Sequence, residues 1–226
     1  MSVVPQNTGN PYTGVQPSNG ATTVTASVTV AAGAHQYMLI LVQGEGNGVQ
    51  NDTLVSQVSV NGNTGLATQL AQESSPSWGW TEAWSVIAPP QGTYNVIITT
   101  NIGDSKTLQV YVFDEVDQST PATASVGNSS SATISSTTLL LAEAGDYCMD
   151  SVNLDGILHL PAASGSGTAY SVENTGHTGC SQGFTAAGGG GDVVEWTWSN
   201  ACALAYLGIR VLQYVTPPQQ LRPDAA

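Results

Sequence analysis

Short runs in which every second residue is apolar, separated by turn signals, recur along most of the chain from residue 22 to residue 213. In residues 24–30, Val and Ala alternate with Thr and Ser, and this period of two predicts a strand with one face in the core. Residues 37–42 are apolar throughout, which predicts a strand covered on both faces. No segment keeps a helical period over three turns. The pattern therefore predicts an all-β fold, and its roughly ten to twelve short strands fit a single antiparallel β-sandwich.

Turn signals predict two hairpins. Residues 55–60 end at Asn61-Gly62, a dipeptide typical of the two-residue type I′ turn. Residues 80–88 and 93–100 flank a Pro-Pro-Gln-Gly turn, and we expect these two strands to pair with each other.

Composition shifts divide the chain into three parts. Residues 1–20 are rich in Pro, Gly, Asn and Gln, which predicts an extended N-terminal arm. Residues 21–216 form the predicted β-sandwich domain, in which the Gly- and Ser-rich region 161–192 is expected to carry irregular loops. Residues 217–226 contain three prolines and no apolar period, which predicts an extended C-terminal tail.

The charge balance excludes several classes of partner. The chain has 3 Lys and Arg residues against 16 Asp and Glu residues, for a formal net charge of -13. So few cations cannot neutralise a phosphate backbone or an anionic lipid surface, so we expect neither a nucleic acid nor a membrane as partner. An acidic chain suits a basic partner or a bound cation instead.

The first seven residues have neither the basic nor the apolar region of a secretory signal peptide. The surface, by contrast, is poor in lysine and rich in neutral polar residues, as is common in proteins that work outside cells. Assembly in the cytoplasm of a host cell, followed by release through lysis, reconciles the two observations. Cys148, Cys180 and Cys202 allow at most one disulfide within the chain, so this is not a disulfide scaffold.

Four segments carry a resemblance to a known group of proteins. They are an apolar strand after Ala-Gly in residues 32–40, a strand-turn-strand with Pro and then Gly-Thr in residues 82–96, the turn 116–121, and the closing strand pair 195–209. Together they resemble the jelly-roll, lectin-like β-sandwiches of phage virions and bacterial surfaces. The resemblance implies a jelly-roll-like sandwich and a place in a virion, and it brings no catalytic residues with it.

Trp78, Trp80, Glu82 and Trp84 share one face if they lie on a continuous strand, because side chains alternate with period two. Three indoles beside a carboxylate are suited to stack on a sugar, which makes these residues the candidate glycan site. Large aromatic side chains also fill cores, and Gly79 makes the continuity of the strand uncertain, so core packing remains the alternative.

Carboxylates cluster at Asp114, Glu115 and Asp117, where hard oxygen ligands are suited to Ca²⁺. A second group follows at Asp146, Asp150 and Asp155 in the same kind of turn. The spacing matches no EF-hand loop, and charges at strand ends are commonly just solvated, so solvation is the alternative to calcium binding, and no other cofactor is expected.

No G-x-S-x-G elbow, Walker loop or glycosidase signature is present, so we expect a protein without enzymatic activity. The sequence favours a phage virion structural protein, either a capsid decoration (cement) protein or a head or tail appendage. Its expected partners are other virion proteins, above all the major capsid protein. We also expect it to form a homo-oligomer, with a trimer as the expected state. The alternative function is a carbohydrate-binding module or adhesin that holds a host glycan.

Overall fold

The computed structural model describes residues 2–7, 10–16, 20–45, 55–75, 79–101, 103–139, 142–155, 162–164, 168–174, 177–188 and 192–215. These residues form fifteen strands and no helix, and every strand pair among them is antiparallel. The predicted all-β, antiparallel fold is therefore confirmed, whereas its jelly-roll connectivity stays a prediction. No helix of the described part is long and apolar enough to cross a membrane.

The strands are β1 (Val4–Pro5), β2 (Tyr12–Gln16), β3 (Thr23–Val30), β4 (Tyr37–Glu45), β5 (Val55–Val60), β6 (Thr68–Ser74), β7 (Gly79–Ile87), β8 (Gly92–Thr100), β9 (Lys106–Asp114), β10 (Ala122–Leu139), β11 (Tyr147–Asp155), β12 (Ala162–Ser164), β13 (Thr168–Asn174), β14 (His177–Thr185) and β15 (Asp192–Val211).

The strands form three sheets. The central sheet has the order β1-β9-β4-β7-β6, with β2 also paired to β9. The small sheet has the order β3-β8-β5, and the outer sheet has the order β10-β15-β11-β14-β13 with β12 paired to β15. One apolar cluster joins the central sheet to the small sheet and a second joins it to the outer sheet. The central sheet is therefore covered on both faces.

β4 shows why the central sheet lies in the middle. Met38 and its alternate neighbours pack in the cluster shared with the small sheet, while Tyr37 and Leu39 pack in the cluster shared with the outer sheet. Each such side chain contributes about 1.5–3 kcal/mol when fully buried. The prediction of a strand covered on both faces is confirmed, as is the one-sided burial of β3, where every second residue is buried.

Neither predicted hairpin forms. The tight turn at Asn61-Gly62 is confirmed, because both residues have positive φ and Val60 and Asn63 exchange backbone hydrogen bonds across it, but β5 pairs with β8 and the next strand, β6, pairs with β7 in the central sheet. The predicted pairing of 80–88 with 93–100 is wrong: β7 pairs with β4 and β6, and β8 pairs with β3 and β5. Both strands carry apolar faces that cover the same core from opposite sides, so the turn between them carries the chain from one sheet to the other.

Part of the predicted N-terminal arm lies on the chain's own central sheet. β1 and β2 pair with the edge of β9, and Val3 is only 2% exposed. Tyr12 also donates its hydroxyl to the Thr29 carbonyl of β3 at 2.8 Å. The described residues of the arm therefore belong to the folded domain.

The region 161–192, expected to be loops, is mostly strand in its described residues, which form β12, β13 and β14. The glycines suggested loops, but at least one of them has a packing role in a strand. Gly179 of β14 lies where the outer sheet packs closely on the central sheet. A Cβ at Gly179 would overlap the Thr107 hydroxyl and lie 3.0 Å from Gln43 Oε1. The predicted tail 217–226 lies outside the described residues.

The interface between the central and outer sheets has a polar half beside its apolar cluster. Gln43 donates to the Ser151 hydroxyl at 2.7 Å and accepts from the Thr107 hydroxyl at 2.8 Å. Tyr111 and Ser181 share a hydrogen bond of 2.6 Å across the same interface. These side chains are buried, so each bond fixes how the two sheets sit on each other.

Candidate functional site

The predicted glycan residues lie on the face of β7 that packs against the small sheet. Trp80 is 2% exposed and donates its indole N–H to the Glu45 carbonyl at 2.8 Å. Trp84 is partly buried against the same apolar cluster. Trp78 lies outside the described residues.

Glu82, between the two tryptophans, is also 2% exposed and accepts hydrogen bonds from three described donors. Its Oε1 accepts from the Val55 backbone N–H at 3.1 Å. Its Oε2 accepts from Gln69 Nε2 and from the Trp84 indole N–H, each at 3.1 Å. The carboxylate joins β7 to the start of β5 and to β6, so it acts as a structural acceptor inside the fold.

The period-two pattern thus placed Trp80, Glu82 and Trp84 on one face, and the structure brings them together there. That face points into the core, which is the alternative that the sequence left open. A sugar ring cannot stack on Trp80, because its indole is covered by the protein itself.

The predicted calcium residues follow β9 and have separate partners. Asp114 Oδ1 accepts from Gln6 Nε2 at 2.9 Å and from Gln36 Nε2 at 3.4 Å. The Glu115 carboxylate lies 3.6 Å from the imidazole of His35. Asp114 therefore anchors the N-terminal segment, and both Asp114 and Glu115 contact the connection between β3 and β4, through Gln36 and His35.

Asp117 closes its own turn. Its Oδ1 accepts from the Ser119 hydroxyl at 2.6 Å and from the backbone N–H groups of Ser119 and Thr120. These bonds, led by the Ser119 hydroxyl, hold the pKa of the Asp117 carboxyl below its usual value. The described residues contain no group of three or more His, Cys, Asp or Glu side chains placed to hold a metal ion, and the calcium site stays a prediction.

The second acidic group contains two buried carboxylates with unlike surroundings. Asp146 Oδ2 accepts from Arg210 Nε at 2.5 Å, a partly buried ion pair. Asp150 is 1% exposed, and its oxygens accept from the Gln182 backbone N–H at 2.9 Å and from the Trp196 indole N–H at 2.7 Å. Burial raises the pKa of the Asp150 carboxyl to about 7, against the opposite effect of these hydrogen bonds. The side chain of Asp155, the third member, is not among those described.

Both basic side chains that the structure describes are engaged inside the protein. Lys106 is fully buried and donates to the carbonyls of Ala21 and Asp104 at 2.9 and 2.6 Å. Burial lowers the pKa of its ammonium group, and the nearby charge of Asp104 acts against this. Arg210 is paired with Asp146. The described surface therefore has carboxylates but no unpaired Lys or Arg to balance them.

Several exposed or partly exposed carboxylates lie in segments that contact the residues just after β15. Asp114, Glu115, Asp117 and Glu143, hereafter the acidic end, are at least partly exposed. They adjoin residues 212–214, which accept from the Asp117 N–H and donate to the carbonyls of Glu115 and Ala144. The sequence identified three of these four carboxylates but not that residue 143 joins them, because the contact depends on the C-terminal segment.

A groove of about 300 Å³ opens beside the edge strand β6, between β7 and the start of β10. Its lining contains no acidic, basic or sulfhydryl group; the lining residues are Leu66, Thr68, Gln69, Leu70, Ser85, Ile87, Pro121 and Ala122. Its hydroxyl groups belong to Thr68 and Ser85, and Ser85 donates to the Thr68 carbonyl at 3.2 Å. Sequence reasoning missed the groove, because its walls come from three segments that are far apart in the chain.

Comparisons with protein-family models, with curated proteins and with solved structures found no match for this chain.

Proposed function

We propose that this protein is a non-enzymatic structural component of a phage virion, a capsid decoration protein or a head or tail appendage, that attaches to a basic surface of its neighbours. The observation that carries the proposal is electrostatic: the chain has a net charge of -13, and its described Lys and Arg side chains are both engaged internally.

A surface of one sign favours a partner of the opposite sign and disfavours others. Exposed carboxylates raise the rate of encounter with a basic patch and repel other acidic surfaces. The acidic end supplies four carboxylates that are at least partly exposed, and its neighbouring cation, Arg210, is held by Asp146. The major capsid protein, or another virion protein with a basic outer patch, is the partner that this chemistry suits.

The absence of enzymatic activity is also part of the proposal. Glu82 and Asp150, two carboxylates in candidate clusters, are buried and hold the chain's own strands together. The groove beside β6 is lined by neutral side chains. General acid–base catalysis needs a titratable group within reach of a substrate, and the described residues of these two places supply none that is accessible.

Attachment by a free N-terminal arm is not part of this proposal. β1 and β2 are bound to β9 of the same chain, so the described residues of this segment are already engaged. The contact surface in this proposal is the acidic end and not the N-terminal segment.

The test is co-sedimentation of the purified protein with virus particles that lack it, at about 50 mM and about 500 mM NaCl, because salt screens exposed charges. The variant Glu115→Gln/Asp117→Asn/Glu143→Gln neutralises three of the four carboxylates of the acidic end and leaves Asp114, which anchors Gln6. We expect it to lose about tenfold in affinity, at roughly 0.5 kcal/mol for each exposed charge.

The control is Glu73→Gln/Asp104→Asn, which removes two carboxylates near the opposite end of the central sheet and should bind like the wild type. Failure of the wild type to sediment with particles at low salt would contradict the proposal. Equal losses in both variants would contradict the choice of the acidic end. Binding to a host glycan instead, with no binding to particles, would favour the adhesin.

A further inference from the structure

The two longest strands, β10 and β15, fold back on the sheet to which they belong. In the outer sheet, Asp150 of β11 lies opposite Gly208 of β15. Trp196 is twelve positions earlier on β15, which in a straight strand is about 40 Å away. The Trp196 indole nevertheless donates to Asp150 at 2.7 Å, so β15 turns back over the outer sheet between these two residues.

The pairing register shows where the fold occurs. Ala132 of β10 lies opposite Cys202, but Ile134 lies opposite Thr197, so two steps along β10 correspond to five along β15. This large bulge separates the part of β15 that pairs with β11 from the part that pairs with β12. We call the folded-back part the flap; it consists of residues 134–139 of β10, strand β12 and residues 192–197 of β15.

The flap covers apolar side chains on the face of the outer sheet that points away from the central sheet. Trp196 packs in a cluster with Val152, Leu154, Cys180 and Leu204, all of which are buried. Opening of the flap would expose these groups to solvent.

Asp150 is the polar contact between Trp196 and the sheet beneath it, and no described cation neutralises it. Among the described side chains on its face, β11 contributes Cys148, β14 contributes Cys180 and Gln182, and β15 contributes Tyr206 and Arg210. The one cation among them, Arg210, is paired with Asp146. An ionised Asp150 is therefore a buried charge with hydrogen bonds but without a counter-ion among the side chains that the structure describes.

We propose that the Asp150–Trp196 contact makes the flap a pH-sensitive element, which is held closed when Asp150 is protonated and opens more often as the solution becomes alkaline.

The direction follows from linkage. Burial raises the pKa of Asp150 to about 7, whereas an open flap exposes the carboxyl to water and returns its pKa to the ordinary value near 4. The closed state therefore binds the proton more tightly, and its advantage is fully present below about pH 4 and is lost as the pH rises through about 7. The ratio of open to closed flap increases by up to about tenfold per pH unit in that window and levels off above it.

The test is hydrogen exchange of the backbone amides in the flap, with protection factors corrected for the intrinsic exchange rate at each pH. For the wild type we expect flap protection to fall about tenfold for each unit from pH 5 to pH 7 and little beyond pH 8. Protection of β4 and β9 serves as the internal control and should not follow this course. In Asp150→Asn, which is neutral at every pH, the dependence should disappear from the flap.

Equal flap protection in the wild type at pH 5 and pH 8 would overturn the proposal, as would an unchanged dependence in Asp150→Asn. If that variant does not fold, Trp196→Phe is the second test. It keeps an aromatic side chain at position 196 and the Asp150 carboxyl, but it removes the indole N–H that donates to Asp150. We expect it to show lower flap protection at every pH, and unchanged protection would count against the contact. Labelling of Cys180 beneath the flap, relative to Cys148 in a separate cluster, gives a second measure of opening and should increase with the flap's exchange.

Discussion

Replacing Glu82 with leucine should destabilise the core between the central and small sheets, because this carboxylate is an acceptor for strands of both. Glu82→Leu removes the acceptor of the Val55 backbone N–H, of Gln69 Nε2 and of the Trp84 indole N–H. All three donors lie at 3.1 Å in the wild type, and the site is closed to bulk water, since Glu82 is 2% exposed.

The magnitude follows from the burial of each donor. A buried donor left without an acceptor costs about 1–3 kcal/mol, and the Val55 N–H is fully buried while the other two are partly so. The apolar leucine returns about 1 kcal/mol through its own burial. The expected net loss is about 3 kcal/mol, a large share of the about 5–15 kcal/mol that stabilises a domain.

Equilibrium unfolding in urea, followed by tryptophan fluorescence, measures this loss. The midpoint should fall by about 1–2 M without a change in slope. Glu82→Gln, which keeps one acceptor, should lie between the leucine variant and the wild type. Glu143→Gln, on the exposed surface, should remain within about 0.5 kcal/mol of the wild type. A Glu82→Leu protein as stable as the wild type would refute the role of this carboxylate as a structural acceptor.

Two further predictions concern how the sheets are held together. Gly179→Ala should destabilise the protein by about 1–3 kcal/mol in thermal unfolding, because its Cβ would overlap the Thr107 hydroxyl. Gly65→Ala is the control and should be close to neutral, because the nearest atom to its Cβ is 3.5 Å away. Similar melting temperatures for the two variants would contradict the close approach of the sheets. Deletion of residues 2–16 should lower the melting temperature, since it removes β1, β2 and the buried Val3 from the edge of β9, and a truncated protein that melts like the full chain would show that these strands contribute nothing.

The elements that could be predicted from the sequence are those whose signal is local. The alternation in residues 24–30 and the apolar run in residues 37–42 report directly on how many faces of a strand are buried. The Asn61-Gly62 turn is equally local, because its two positive φ angles suit these residue types. Each of these predictions is confirmed.

The choice of partner strand does not depend on local sequence, and the prediction of which strands pair was wrong. Residues 80–88 and 93–100 are neighbours in the chain with a turn between them, but each has an apolar face that must cover the same core from its own side. Burial of both faces outweighed the pairing of adjacent strands. Periodicity also placed Trp80 and Trp84 on one face without indicating that this face points inward.

The Asp150–Trp196 contact shows a second limit. The two residues are 46 positions apart and meet because β15 folds back across its own sheet. A fold of this kind depends on a bulge and on the apolar cluster beneath it, and neither has a signature in a short window of sequence. Asp150 belongs to an acidic group in the sequence, but its burial and its hydrogen bond with Trp196 are visible only in the structure.

The central claim is that this chain is a virion component that binds through its acidic surface. The most direct test is quantitative mass spectrometry of purified particles from the virus whose genome encodes it, before and after a wash in concentrated salt. We expect the chain in a fixed ratio to the major capsid protein before the wash and a large loss afterwards. Its absence from particles, with all copies in the soluble fraction of the lysate, would contradict the account.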